Sequence, residues 1–242
     1  MRPSAPPVLQ SNLPDLIHVF AAFTRVDGTI DEDEVDSILG FLRYDYPESF
    51  YGELRARYVE ALHDQQDLDT MAQALAVSLD IEEKILLGVQ LYMLVSRAGM
   101  RAEALAIFYR FITTLGIAGE AIDIVYQLNA QGGPAMPPPE GMGSPLESLV
   151  IGATDDCDVR LESLPHDMMV AAFRFHNLVL LKNIGDQTIV ARGRSVPKGE
   201  FCRLYDGQQT VLAEVVLTYH ELLFYFNARK DLSASSVFIH LG

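Results

Sequence analysis

The sequence predicts a multidomain α and β protein, with an all-α helical bundle of about seven helices over residues 14–130 and an all-β sandwich over residues 146–230. Apolar residues recur at helical spacing in the first half. In the second half, short apolar runs alternate with Gly, Asn and Asp turn signals. Between them lie residues 131–145, where nine of fifteen residues are Gly or Pro and break both patterns. We therefore expect a linker there, a disordered N-terminus over residues 1–13, and a tail or the start of a following domain over residues 231–242.

Composition and charge limit the functions that this chain can serve. The 242 residues are 49% apolar, which is ample for buried cores, and they carry a formal net charge of −15. Residues 1–130 hold nine Lys and Arg against twenty Asp and Glu, a net charge of −11. Because phosphate binding requires positive charge, no nucleic-acid partner is expected. The acidic first half fits a cation site, a basic partner, or only a solubilising surface.

Cysteine usage and hydropathy indicate a cytoplasmic protein. Cys157 and Cys202 lie in unrelated contexts without a CxxC spacing, so we expect two reduced, buried thiols. The N-terminus is not followed by a signal-type apolar core. No run approaches the ~18 apolar residues that are needed to span a bilayer. We therefore expect no direct membrane insertion by this segment, which would reach a membrane only through a partner or a missing C-terminal region.

Helical spacing assigns the elements of the first half in order. Pro14 suits a first helical turn. Asp80, with Glu83 three residues on, is a capping-box pattern that opens a strongly apolar helix. The expected helices start at Pro14 and continue through Val35–Leu42, Leu54–Leu62, Leu68–Leu79, Ile85–Val95, Leu105–Leu115 and Glu120–Leu128.

An acidic corner separates the first two expected helices, in the run Arg25-Val-Asp-Gly-Thr-Ile-Asp-Glu-Asp-Glu-Val-Asp36. Gly28 suits the left-handed residue that ends a helix. Asp31 suits the N-cap of the next helix, and Glu34 is the returning half of a capping box. The favoured interpretation of this corner is therefore a capped helix start with solvated charge.

The same carboxylates support a second interpretation. Asp27, Asp31 and Glu34 provide oxygen ligands of the kind that Ca²⁺ and Mg²⁺ prefer, so a weak divalent-cation site is the alternative. Phe23 and Arg25 stand where the first oxygen ligands of a calcium loop belong, which argues against a true EF-hand. Apart from this weak cation, no cofactor is expected.

Six short apolar runs predict strands in the second half. Their close spacing is typical of a β-sandwich. After them, Thr218–Asn227 has the pattern of a short amphipathic helix, and Ser236–Gly242 has that of a strand. The six runs are Leu149–Ile151, Met168–Phe175, Leu178–Leu181, Thr188–Val190, Phe201–Leu204 and Val211–Leu217.

The acidic corner resembles a motif of the tellurite-resistance B (TerB) family of all-helical domains. The motif is Asp-Gly-x-Ile-x-x-x-Glu, which stands at Asp27–Glu34, and the resemblance covers roughly residues 14–130. The family carries two such corners. The second is visible at Leu91–Glu103, although Ala98 replaces the acid and Leu105 replaces the closing Glu. The resemblance implies an acidic, metal-related surface and a link to membrane-associated stress systems of bacteria.

The second half resembles a forkhead-associated (FHA) domain over about residues 146–225, on a strand, an acidic turn and a following Ser-x-x-His. That family recognises phosphothreonine, with an Arg and a Ser as phosphate ligands and a His that braces the loop. Gly152, Ser163 and His166 match the pattern and form the candidate phosphopeptide-type loop. Ala153 occupies the Arg position, and the Asn-Gly pair is missing. Because Arg supplies the strongest bonds to phosphate, we expect this domain to serve packing or docking.

The two resemblances together are similar to the cytoplasmic N-terminal region of certain bacterial ABC-transporter ATPases. In those proteins a segment resembling Leu217–Phe226 leads into the nucleotide-binding cassette. This sequence contains no Gly-rich phosphate loop, no Gly-x-Ser-x-Gly elbow and no His-Glu-x-x-His helix, so we expect no enzyme activity and no catalytic residue. The leading hypothesis is a non-catalytic regulatory or scaffolding module for protein–protein interaction, with a membrane-transport ATPase domain in the same chain as its partner.

Two other classes of function stay open. The acidic first half fits a stand-alone acidic metal-binding stress-response protein of the tellurite-resistance type. The candidate loop of the second half fits a phosphopeptide reader. An ATPase cassette directly after Gly242 in the full-length gene would favour the leading hypothesis, and a natural stop codon would favour the stress protein.

Overall fold

The computed structural model divides the chain into two compact units, Met1–Asn129 and Ala130–Gly242. Among the residues that it describes, helices make up the first unit, and two mostly antiparallel sheets dominate the second. The predicted order of helices before strands is therefore confirmed. The described residues are 7–27, 35, 39, 48–64, 67–97, 99, 101–129, 146–191, 194–232 and 240–241.

Six α-helices are described in the first unit, together with a 3₁₀ turn at Glu48–Phe50. Val35 and Leu39, on the second predicted helix, are helical and buried. The core is built from large side chains that several helices contribute, among them Phe20, Tyr58 and Phe108. The six helices are α1 (Pro7–Asp27), α2 (Tyr51–Ala61), α3 (Leu68–Ser78), α4 (Ile81–Arg97), α5 (Ala102–Thr114) and α6 (Glu120–Asn129).

Helix α1 begins at Pro7, well before the predicted start at Pro14. The prediction of a disordered N-terminus over residues 1–13 is therefore wrong from Pro7 onward. Pro14 lies inside the helix, where a proline removes one backbone hydrogen bond and costs about 3 kcal/mol or more. Burial of apolar side chains on both sides of it offsets that cost, since Leu13 and Ile17 are only 5% and 2% exposed.

Helix termini in the first unit are closed by local hydrogen bonds. At the start of α4, the backbone N–H of Glu83 donates to Asp80 Oδ1 at 2.8 Å, and that of Asp80 donates to Glu83 Oε2 at 3.1 Å. The predicted capping box is therefore confirmed. Helix α5 ends at Thr114, and Gly116, just beyond its C-cap Leu115, has a left-handed φ of 87°. There the N–H of Ile117 donates to the carbonyl of Ile112 at 2.9 Å, as in a Schellman motif.

The second unit contains two sheets, of six and four described strands. The described strands are β1 (Glu147–Gly152), β2 (Val159–Leu161), β3 (Met169–Phe175), β4 (Leu178–Asn183), β5 (Ile189–Ala191), β6 (Arg194–Val196), β7 (Phe201–Leu204), β8 (Gln209–Leu212), β9 (Val215–Thr218) and β10 (His240–Leu241). The six-stranded sheet has the order β10-β2-β1-β3-β4-β7, and the four-stranded sheet has the order β6-β5-β8-β9. β2 pairs in parallel with β1 and with β10, and the remaining pairs are antiparallel.

The apolar run Val211–Leu217 is not one strand, as the sequence predicted, but a hairpin of β8 and β9. Leu212 pairs with Val215, which leaves a two-residue turn at Ala213 and Glu214. Ala213 has a φ of 53°, a left-handed conformation that alanine rarely adopts. The run contains no turn-forming residue, so periodicity alone could not locate this turn. β2 and β6 were also absent from the predicted strands.

The predicted helix after the strands is confirmed as α7 (Tyr219–Leu232), which extends beyond the predicted end. Thr218 and Glu221 form a capping box at its start. The N–H of Glu221 donates to Thr218 Oγ1 at 3.1 Å, and the N–H of Thr218 donates to Glu221 Oε2 at 2.7 Å. Helix α7 lies against β1 and β9 and buries Leu222 and Phe226 in the second unit.

Candidate functional site

Four loops meet at one end of the six-stranded sheet. β1 ends at Gly152, which pairs with Met169 at the start of β3. β4 ends at Asn183, and its neighbour Lys182 pairs with Phe201 at the start of β7. The loops that adjoin these strand ends therefore lie side by side. We call them the loop end, which comprises residues 153–158, 162–168, 184–188 and 197–200.

Backbone hydrogen bonds fix the loop before β3 against the loop after β4. The N–H of Gly185 donates to the carbonyl of Met169 at 2.9 Å, and that of Asp186 donates to the carbonyl of Asp167 at 2.9 Å. The side chain of Gln187 donates through Nε2 to Asp167 Oδ1 at 2.8 Å. Gly185 packs so closely here that an added Cβ would lie 2.5 Å from Met169 N and closer still to Asp167 O. Two separate loops are thereby held as one surface.

The buried Asn183 extends this network to the third loop. Its side-chain Nδ2 donates to the carbonyls of Gln187 at 2.8 Å and Val196 at 2.9 Å. Its Oδ1 accepts the N–H of Gly185 at 3.2 Å. The N–H of Gly199 donates to the Asn183 carbonyl at 2.7 Å. Because a fully buried amide with these bonds has a fixed orientation, the loop end is preformed.

The three residues of the candidate phosphopeptide-type loop all lie at or beside the loop end. Gly152 is buried, and a Cβ there would lie 2.8 Å from Cys157 Sγ, so packing explains this glycine. Ser163 and His166 are exposed on the loop before β3. Within the described ranges, neither side chain forms a hydrogen bond. Ala153, at the position of the phosphate-binding Arg, is only 5% exposed.

The loop end carries a strong excess of carboxylates. Lys198 pairs with Asp186 at 2.5 Å, and Arg160 of β2 pairs with Asp155 and, at 3.3 Å, with Glu162. Both of these cations are therefore already paired with acids of the loop end. The Thr154 hydroxyl donates a hydrogen bond to the Asp156 carboxylate, and this bond lowers the pKa of Asp156. The carboxylates of the four loops are Asp155, Asp156, Asp158, Glu162, Asp167, Asp186 and Glu200.

One of these acids has an internal structural role. Asp158 Oδ2 accepts the backbone N–H of Val150 at 2.8 Å, and its Oδ1 pairs with Arg229 of α7 at 3.1 Å. Arg229 also donates to the carbonyl oxygen of Ser148. Asp158 therefore joins the first loop to β1 and α7, which leaves the other carboxylates to set the charge of the surface.

The predicted cation site falls largely outside the described residues. Asp27 is the last residue of α1, whereas Asp31 and Glu34 are not among the described residues, so this site stays a prediction. The structure does show that Arg101, just before α5, donates to the carbonyl oxygen of Val26 in α1. A guanidinium group is therefore fixed at the helix end from which the acidic corner starts.

A left-handed glycine stands at the second corner, whereas Gly28 of the first corner lies outside the described residues. Gly99, which matches Gly28 in the sequence, has a left-handed φ of 76°. Its N–H donates to the carbonyl of Ser96 at 3.2 Å. Across the described ranges, no group of three or more His, Cys, Asp or Glu side chains is arranged to hold a metal ion.

Comparison with protein-family models, with curated proteins and with solved structures finds no match to this chain. The TerB-like and FHA-like assignments therefore rest on the sequence motifs. In the described part of the chain, no helix combines the length and the apolar character needed to cross a membrane.

Proposed function

We propose that this chain is a non-catalytic regulatory or scaffolding module for protein–protein interaction. In this proposal, a TerB-like helical domain and a degenerate FHA-like sandwich form the cytoplasmic N-terminal part of an ABC-transporter-type ATPase. The observation that carries the interaction role is the preformed loop end with its excess of carboxylates. A basic segment of a partner protein has complementary charge for this surface, which favours encounter and fixes register.

Phosphothreonine is a poor ligand for the same surface. A phosphate group carries nearly two negative charges at neutral pH. The buried Ala153 provides no guanidinium, and Arg160 is already paired with Asp155 and Glu162. Ser163 offers one neutral hydrogen bond, which contributes roughly 0.5–1.5 kcal/mol net. That contribution cannot offset the desolvation of a dianion beside several carboxylates.

The architecture supports the two assignments in coarse terms. The six described helices, with a glycine-ended corner before α5, agree with an all-helical TerB-like domain. Sheets of six and four strands agree with an FHA-like sandwich, in which loops at one end form the binding surface. The capped helix α7 follows the last strand of the smaller sheet, as the segment before a nucleotide-binding cassette would.

Neutralising the loop end tests this function. We expect the double variant Asp155→Asn with Asp186→Asn to weaken binding of the full chain to Lys- and Arg-rich peptides and to reduce the salt dependence of that binding. The exposed Asp64, in the helical unit, gives the matched control Asp64→Asn. Equal affinities for the double variant, the control and the wild type would show that the loop end is not the docking surface.

A further inference from the structure

A pair of hydrogen-bonded tyrosines joins α5 to α6 in the first unit. The hydroxyl of Tyr126 donates to the hydroxyl oxygen of Tyr109 at 2.7 Å. Tyr109 is 44% exposed, whereas Tyr126 is partly buried. Tyr92 of α4 meets the ring of Tyr126 edge-on, with 5.1 Å between ring centroids, and it meets Phe108 at 5.6 Å. One exposed phenol is therefore in direct contact with a sheltered one.

We propose that Tyr109 and Tyr126 form an oxidative modification site, at which a one-electron oxidant couples the two rings into an intramolecular dityrosine cross-link. The site belongs to the helical unit and is independent of the docking role of the loop end. Its co-reactant is a peroxide, used by a peroxidase that removes one electron at a time.

The hydrogen bond gives the sheltered phenol a route for its proton. Burial, followed by the hydrogen bond to Tyr109, raises the pKa of Tyr126 above its ordinary value, so this phenol holds its proton more tightly than an exposed tyrosine does. Loss of an electron makes a phenol strongly acidic, and the proton must leave at the same time. The Tyr126 proton moves to the oxygen of Tyr109, which releases its own proton to water. The exposed Tyr109 thus serves both as the entry point for oxidation and as the proton exit.

The coupling step is balanced with one peroxide for each cross-link. Each phenol loses one electron and one proton and becomes a phenoxyl radical, whose unpaired electron is shared with the ring carbons beside the oxygen. One such carbon of each ring forms the new carbon–carbon bond, and the two ring hydrogens then move to the oxygens. The protein loses two hydrogen atoms in total. Hydrogen peroxide accepts the two electrons and two protons and becomes two water molecules.

Contact between the two hydroxyl groups also favours an intramolecular product. The carbons that couple are the ring carbons next to those that bear the oxygens, so the 2.7 Å contact between the two oxygens places these carbons near one another. The residues lie on two helices that are separated by only five residues, 115–119. A cross-link here closes a short loop between neighbouring helices, which restricts the unfolded chain.

The test treats the full chain with peroxidase and limiting hydrogen peroxide. Cleavage after Arg110 separates Tyr109 from Tyr126, so mass spectrometry identifies the cross-link as two joined peptides that lack two hydrogen atoms. We expect the cross-linked peptides in the wild type. We expect them to be absent from the Tyr109→Phe and Tyr126→Phe variants, both of which keep the aromatic rings. The matched control is Tyr205→Phe in the second unit, which we expect to retain the cross-link. Tyr205 is half-buried, and its ring centroid lies 4.4 Å from Arg203 Cζ.

Two further measurements complete the test. We expect the Tyr92→Phe variant to retain the cross-linked product, because this substitution keeps the Tyr92 ring and its edge-on contact with Tyr126. We also expect oxidation to raise the thermal midpoint of the wild type but not that of Tyr126→Phe. A dominant cross-link between other tyrosines would overturn the proposal. So would an unchanged yield of cross-linked product in the Tyr126→Phe variant, provided that this variant melts at the same temperature as the wild type.

Discussion

A single methyl group at Gly185 is predicted to disrupt the loop end. A Cβ on this residue would lie 2.5 Å from Met169 N, closer still to Asp167 O, and 3.1 Å from Met168 Cα. All three are backbone atoms, so a rotamer change cannot relieve the overlap. We therefore expect Gly185→Ala to force the loop after β4 away from the loop before β3.

The hydrogen bonds at the contact set the size of the effect. Separation of the loops breaks the bonds from Gly185 N–H to Met169 O and from Asp186 N–H to Asp167 O, each 2.9 Å long. It also breaks the 2.8 Å bond from Gln187 to Asp167. At roughly 1 kcal/mol for each bond, the free energy of unfolding of the second unit falls by about 3 kcal/mol.

Urea denaturation followed by far-UV circular dichroism measures this change. The matched control is Gly52→Ala in α2, where an added Cβ would meet nothing within 4 Å. We expect this control not to lower the stability of the first unit, because alanine favours a helix at least as well as glycine does. A loss of less than about 1 kcal/mol in Gly185→Ala would refute the steric reasoning, since even one broken bond costs that much.

Three other substitutions test separate features. Asp80→Ala removes the acceptor for Glu83 N–H and is expected to lower stability by about 1 kcal/mol in thermal denaturation. Ala213→Gly relieves the left-handed φ of 53° and is expected to raise the urea midpoint, by roughly 0.5–1 kcal/mol in stability. Burial lowers the pKa of Lys182, which lies 4.9 Å from the Phe201 ring centroid. The unfolded chain then binds the proton more tightly, so stability rises with pH towards the ordinary pKa of 10.5. We expect Lys182→Met to remove that rise, and an unchanged slope of urea midpoint against pH would contradict this assignment.

The features that the sequence predicted correctly depend on short-range contacts. Asp80 and Glu83 are three residues apart, so their capping box is visible in the sequence and present in the fold. Helix α7 could also be predicted from the sequence, because its apolar residues and its first residue lie within one short segment.

The features that the sequence did not predict depend on contacts between distant segments. The turn at Ala213 forms because β8 and β9 pair on either side of it, although alanine gives no turn signal. Helix α1 continues through Pro14 because the surrounding side chains are buried in the first unit. Gly185 could be recognised as a turn residue, but its contact with Asp167 and Met169 could not be, since their segments meet only in the folded sheet.

The same distinction applies to the candidate site. The motif placed Gly152, Ser163 and His166 in one region, and the structure shows all three at or beside the loop end. The motif did not show that Asn183 and Gly185 would join three loops into one acidic surface. That surface results from the pairing of β1, β3, β4 and β7, which short sequence patterns do not encode.

We propose that the loop end docks a basic protein segment through its negative charge and does not bind phosphothreonine. The most direct test is fluorescence anisotropy with two Lys- and Arg-rich peptides that differ only in a phosphate on one threonine, titrated with the full chain. We predict that the unphosphorylated peptide binds at least as tightly as its phosphorylated twin, and that its affinity falls as salt is raised. Tighter binding of the phosphorylated peptide, lost in Ser163→Ala, would contradict the claim.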